Sequence, residues 1–299
     1  MKQFHKIIEE ICKEEEIKFR LLSKEWISLL EKNQKVGYIA GYKFDLNGHG
    51  IGNVLDDKYA FYEVLLEKGY PTIKHHIIFR NYQTDEIEKL FHLYHDNVVI
   101  KSNTGTCGGE VFHVEDRKKL FEMIDSLLKK HFSISLCPFY SIKSEYRVIV
   151  LEGEVKLLYQ KKKAVVIGDG KSNIQELLCQ FNSFFFKKKD FDSSFDRVLE
   201  KGEIFIYSWK FNLSQGAIPV VVEDESLKTK LSTLALEVSN NLGIVFGSID
   251  IIQTEEEELL IMEANSGVMM DHLIELYPNG YQIAKEIYRE AILKMFSEL

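Results

Sequence analysis

Ser248-Ile249-Asp250-Ile251-Ile252 and, beyond the acidic run Glu255 to Glu258, Ile261-Met262-Glu263-Ala264-Asn265-Ser266-Gly267 form the stretch on which the fold of this chain turns. Two apolar, β-rich runs parted by a short acidic turn predict an antiparallel hairpin, with Asp250 on one strand and Glu263 and Asn265 on the next. Alternate side chains of a strand point the same way, so Glu263 and Asn265 share a face that carries oxygen donors. Their neighbours Ile261, Met262 and Ala264 are apolar, and an acid buried among such residues needs a partner. A hard cation bridged to phosphate would be one, because Mg²⁺ favours one or two carboxylates together with phosphate oxygens and water. The alternative is a hairpin whose acids face solvent and whose Asn-Ser-Gly is a turn.

Composition narrows the function classes. The 299 residues are 45% hydrophobic and 28% charged, ordinary for a folded soluble chain and without a low-complexity tract. A formal charge of −8 argues against broad nucleic-acid binding, although a basic cleft can exist inside an acidic protein. No apolar run approaches the ~20 residues that span a bilayer, and Met1-Lys2-Gln3-Phe4-His5 continues into an acidic helix, not a signal-peptide core. A cytoplasmic location with no membrane partner is therefore expected. Cys12, Cys107, Cys137 and Cys179 are scattered and form no C-x-x-C pair, as expected of reduced structural thiols. With four prolines and no Pro/Gly/Ser-rich linker, any domains should be closely interwoven.

Along the chain, Phe4, Ile7, Ile8 and Ile11 mark one face of a helix over residues 3–16. A β-like run over 17–22, a second helix over 24–32 and a run over 36–46 give a β-α-β-like opening, and its tail, Asn47 to Asn53, is expected to be a flexible loop. Asp56-Asp57-Lys58 opens a helix that Gly69 and Pro71 end. Val98 to Lys101 is a buried-type strand with a lysine at its end, followed by the small-residue loop Ser102 to Val111. Backbone N–H groups of such a loop, Gly108 and Gly109 among them, can close around phosphate. The spacing is neither that of a P-loop nor that of a dinucleotide fold, and a plain glycine-containing turn is the alternative.

A charged helix over 116–130 leads to a strand, Ser133 to Ser141, interrupted by Pro138. A central strand excludes proline, so the chain either leaves its sheet near Pro138-Phe139-Tyr140, freeing backbone groups to read a planar base, or runs along an edge. Glu145 to Leu151 and Val155 to Tyr159 pair across Glu152-Gly153-Glu154, and Arg147 can grip a carboxylate or phosphate with two parallel hydrogen bonds. Lys161-Lys162-Lys163 follows directly. Ser172 to Glu176 opens a short helix, Phe184 to Lys201 is the least ordered-looking stretch, and a strand over 204–211 ends in the polar loop Lys210 to Ala217. Helices over 226–242, stopped by Gly243, and over 281–295 complete the pattern.

Taken together the chain resembles the ATP-grasp superfamily, and more closely its carboxylate–amine ligase branch, which includes cyanophycin-synthetase-like and ribosomal-protein glutamate-ligase-like enzymes. The resemblance runs from about Asp56 to Met270. It rests on Asp57-Lys58, Ile100-Lys101 with its glycine loop, Glu145-Tyr146-Arg147-Val148, Gly168-Asp169-Gly170-Lys171, Asn212-Leu213-Ser214-Gln215-Gly216, and Asp250 with Glu263-x-Asn265. It implies an α+β fold of two lobes holding a nucleotide between them: a short α/β N-terminal domain (1–53), a small lobe with the glycine loop (54–134) and a large lobe with the metal site (135–299).

Lys58, Lys101, Gly108 and Gly109 would then contact ATP phosphates, the catalytic Lys210 together with Asn212 would reach them from the large lobe, and the backbone near Pro138, Phe139 and Tyr140 would hold adenine. Asp250, Glu263 and Asn265 match the ligands of Mg²⁺, for which Mn²⁺ can substitute. Arg147 and Lys161 match basic positions near the transferred phosphate and the acid substrate, with Lys162 as the alternative to Lys161. The implied reaction joins a carboxylate and an amine, amino acid or peptide, through an acyl phosphate with release of ADP. The glycine loop is expected to close over ATP and keep water from that intermediate. The alternatives are a catalytically silent nucleotide- or peptide-binding protein, and a peptide-macrocyclising enzyme forming esters or amides. A homo-oligomer is the expected assembly, and the N-terminal part is shorter than that of most such ligases.

Overall fold

In a computed structural model of the protein, residues 2–23, 26–105, 109–187 and 191–297 are described. Helix α1 (Lys2–Glu14) buries Phe4, Ile7, Ile8 and Ile11 completely, the stripe its periodicity predicts. Strands β1 (Lys18–Leu22), β2 (Ile27–Lys32), β3 (Lys35–Ala40) and β4 (Lys43–Phe44) then form an antiparallel meander in that order. The helix expected over 24–32 is therefore strand β2. The reason lies in its exit: Asn33 and Gln34 both have positive φ (50° and 64°) and make the two-residue hairpin that sets Lys32 against Lys35. The loop expected over 47–53 is also corrected, since α2 (His49–Asp56) is helical there. Asn47 anchors its start, its Oδ1 accepting from the backbone N–H of Val245 (2.9 Å) and Phe246 (3.1 Å).

Helix α3 (Lys58–Glu67) begins at Asp57, whose side chain accepts from Ala60 N, and ends before Gly69 (φ +76°). The smaller lobe follows: β5 (His76–Phe79), α4 (Thr84–Leu93), β6 (Val98–Ser102), β7 (Val111–Val114), α5 (Arg117–Lys130) and β8 (Ser133–Pro138). Its sheet has the order β5-β8-β6-β7, and α4 and α5 share one core with it. Pro138 ends the central strand β8. Residues 71–73 reach back to the larger lobe, where Ile261 N donates to Pro71 O (2.9 Å) and Ile73 N to Ile261 O (3.1 Å).

The larger sheet is built from β9 (Ile142–Leu151) and β10 (Glu154–Lys162). A ribbon and helix intervene, β11 (Val165–Ile167), α6 (Ile174–Phe181) and β12 (Ile204–Ile206), around a core of their own. Then come β13 (Ile218–Val220), α7 (Glu225–Leu242), β14 (Phe246–Thr254) and β15 (Leu259–Asn265), and the sheet order is β13-β10-β9-β14-β15. Strand β9 shows why two faces differ: Tyr146, Val148 and Val150 pack toward α7, while Ile149 and Leu151 join the core of α1 and the C-terminal helix. Helices α8 (Asp271–Leu276) and α9 (Gly280–Phe296) close the described chain. Among the described residues no helix is long and apolar enough to cross a membrane.

Candidate active site

The hairpin of β14 and β15 sets Asp250 opposite Glu263, and Ser248 opposite Asn265, so all four lie on one face of the sheet. On its other side β14 sets Asp250 opposite Arg147. This register builds an ion cluster: Arg147 Nε donates to Asp250 Oδ1 (2.7 Å) and Nη2 to Oδ2 (2.6 Å), while Lys161 Nζ donates to Oδ2 (2.9 Å) and to Glu145 Oε1 (2.5 Å). Asp250 is wholly buried. Burial alone would push its carboxyl up, but Arg147 and Lys161 outweigh it and hold the group down at about 2. At Glu145 burial is the larger influence and pushes the carboxyl up against the pull of Lys161. Glu145 stands two residues from Arg147 on the same strand face, the sequence signal that marks it as part of this group.

Above this face lies a cavity of about 620 Å³, lined by both lobes. From the small lobe come Lys58, Lys101 and Gly105; from the large lobe come Arg147, Lys161, Lys210, Asn212, Glu263 and Asn265. Lys58 Nζ donates to Gly105 O (2.6 Å), which ties the root of α3 to the loop after β6. Burial pushes the Lys58 and Lys210 ammonium groups below their ordinary values. Asn212 caps a short 3-10 turn, its Oδ1 accepting from Ser214 N (2.8 Å) and Ser214 Oγ (2.7 Å).

Other residues expected at the nucleotide are not among the lining. Gly108 is outside the described residues, and Gly109 is not among the lining. Pro138, Phe139 and Tyr140 also stand back from it: Phe139 N donates to Asn97 O (3.1 Å), and Tyr140 Oη accepts from Lys74 N (3.0 Å). The Phe139 ring stacks on His113 at 4.0 Å and abuts Trp209 at 5.7 Å, and it is Trp209 that reaches the cavity. Trp26, Tyr42, Met269 and His272 line the cavity too, and no local motif announced them.

Glu263 and Asn265 offer the cavity a carboxylate and a carboxamide, and Asn265 Nδ2 is buried without a hydrogen-bond partner. An amide nitrogen left unpaired at such a point has a donor to offer to a ligand, and the carboxamide oxygen is the atom that can ligate a cation. This donor set fits a hard cation that takes its other ligands from phosphate and water. Both Asp250 oxygens are engaged by Arg147 and Lys161 and Asp250 is not among the cavity lining, so it holds those two cations in place beside Glu263 and Asn265.

Two α+β lobes, each an antiparallel sheet with helices, closing on a cation-lined cavity define the ATP-grasp fold, and this chain has it. Residues 55–176 match the RimK-like ATP-grasp domain family. A bifunctional glutathione synthetase from Pasteurella multocida has a similar structure (TM-score 0.55, 16% identity, 92% of this chain and 42% of that one). So does a D-alanine–D-alanine ligase from Bacillus anthracis (TM-score 0.56, 16% identity, 83% of this chain and 68% of that one), a protein also solved in complex with ATP. In sequence the chain is 25% identical over 147 residues to the bifunctional glutathione biosynthesis protein of Lactiplantibacillus plantarum, 48% of this chain and 19% of that one. The chain thus matches less than half the length of either glutathione protein.

Proposed function

We propose that this protein is an ATP- and Mg²⁺-dependent carboxylate–amine ligase that forms an amide through an acyl phosphate and releases ADP. One observation carries the proposal: in a chain of net charge −8, Lys58, Lys101, Arg147, Lys161 and Lys210 converge from two lobes on one cavity whose floor also presents Glu263 and Asn265. Such convergence suits a polyphosphate, and the ATP-grasp fold supports ATP as that ligand.

A carboxylate is a poor acylating agent at neutral pH. Transfer of the γ-phosphoryl group of ATP makes it an acyl phosphate, from which an amine displaces phosphate. Phosphoryl transfer chiefly needs alignment and neutralisation of spread negative charge, and no serine or cysteine nucleophile is required. Lys58 and Lys101 would hold the phosphates from the small lobe, and Lys210 and Asn212 from the large one. Arg147 and Lys161 would face the transferred phosphoryl group and the acid, their positions fixed by Asp250 and Glu145. Glu263 and Asn265, backed by Asp250, would hold Mg²⁺, which when bound neutralises phosphate charge. The experiment is ADP and phosphate release over a panel of amino acids and peptides, with Glu263→Ala alongside. Release is expected from the native protein and at least about a hundredfold less from the variant, given what one charge-stabilising group contributes. Equal release from both contradicts the assigned site.

A further inference from the structure

Besides the cationic floor just described, the cavity has a second wall, formed by Trp26, Ala40, Tyr42, Gly267, Met269 and His272, where Gly41 lies against Trp26 and Gly267 against Tyr42. At this wall Lys43 is paired with Asp56, which also accepts from Ser266 Oγ (2.9 Å), and the Tyr42 hydroxyl donates to the Asp271 carboxylate (2.6 Å). Burial pushes the His272 imidazole below its ordinary value. Its Nδ1 is buried without a hydrogen-bond partner, as is Asn265 Nδ2.

Trp26 is the unusual member. The residue is 56% exposed although its backbone is held on both sides, its N–H donating to Ser23 O (3.1 Å) and its C=O accepting from Gly41 N (2.8 Å). Gly41 has φ +61°, and a Cβ there would meet the indole at 3.1 Å. The positive φ and the close indole favour glycine at that turn, and the next residue, Tyr42, accepts at its backbone oxygen from Val268 N (3.1 Å) in the loop after β15. A half-open indole lining the same cavity as a thioether and a tyrosine ring is a binding surface for a bulky apolar group.

We propose that this wall receives an aromatic or large aliphatic side chain of a peptide or amino-acid substrate whose carboxylate is turned toward Arg147 and Lys210, with Trp26 as the specificity-determining residue. The inference rests on the ligase proposal. The two tryptophans of the chain, Trp26 and Trp209, both line the cavity, so variants that keep one of them report on each separately.

In Trp209→Phe, with Mg²⁺ and the non-hydrolysable analogue adenylyl imidodiphosphate present, alanyl-phenylalanine is expected to change Trp26 emission with a Kd about tenfold or more below that of alanyl-alanine or alanyl-aspartate. Calorimetry on the native protein should give the same order, and Trp26→Ala should bring the dipeptide affinities together. Equal affinities, tighter binding of alanyl-aspartate, or no dipeptide binding overturns the subsite. Binding of the nucleotide analogue is read independently through Trp209 in Trp26→Phe. Failure of that signal removes the ligase proposal itself, whereas its presence without dipeptide discrimination removes only the subsite.

Discussion

Asp250 accepts from three donors on two other strands while wholly removed from water, so its charge and those of Arg147 and Lys161 are one unit. Removing one member of a buried ion group leaves the others uncompensated, which typically costs about 3–5 kcal/mol. Asp250→Ala is accordingly expected to lose about that much unfolding free energy in urea without nucleotide. A loss below about 1 kcal/mol would show that the cluster is open to solvent.

Asp169 is a contrasting, exposed case. It accepts from Ser172 N (2.7 Å), Lys171 N (2.8 Å) and Ser172 Oγ (2.8 Å), and these bonds hold its carboxyl at about 2. A depressed carboxyl pKa stabilises the fold above its unfolded value of about 3.9, and that contribution is lost as pH falls through the folded value. The amide resonances of Lys171 and Ser172 should therefore titrate with a midpoint at about 2. A midpoint at the ordinary carboxylate value would rule this turn out. Both acids stood in quoted motifs, yet only Asp169 has its partners within three residues, so only its environment could be read locally.

Helices with paired end signals were legible as elements. Helix α7 starts at Asp224, whose side chain accepts from Ser226 N and Leu227 N, and stops at Gly243 in the left-handed conformation (φ 71°), as its glycine predicted. Helix α6 opens with a full capping box between Asn173 and Glu176. Asn173→Ala should cost about 1 kcal/mol of stability by denaturant titration, whereas an unchanged midpoint would mean the cap adds nothing. Strand β2 was not legible, because Ile-Ser-Leu-Leu suits helix and strand alike and the ladders to β1 and β3 decide between them. The Asn33-Gln34 pair was the available clue. Misassigning β2 also hid Trp26, which sits at its entrance.

The two ends of the described chain share one core, in which Phe4, Ile7, Ile8 and Ile11 of α1 meet Ala284, Ile287, Tyr288 and Ile292 of α9 beneath the large sheet. Arg289 and Lys285 of α9 are bonded to Glu14 of α1 along its rim. The proposed N-terminal domain, residues 1–53, therefore has its apolar surface in common with the large lobe. A chain starting at residue 54 would expose α9 and one face of the sheet, and it should lose cooperative thermal unfolding; a sharp transition like that of the full chain would show that the remainder holds its own core. Within the sequence itself lay the hairpin and the common face of Glu263 and Asn265, because strand alternation is a local rule with a period of two residues. Only the tertiary structure decided that Arg147, 103 positions away, grips Asp250, and that Trp26 and Trp209 face one cavity. Those juxtapositions depend on which strands pair and in what register, and sheet order is set by the packing of distant segments, not by the neighbours of any one residue.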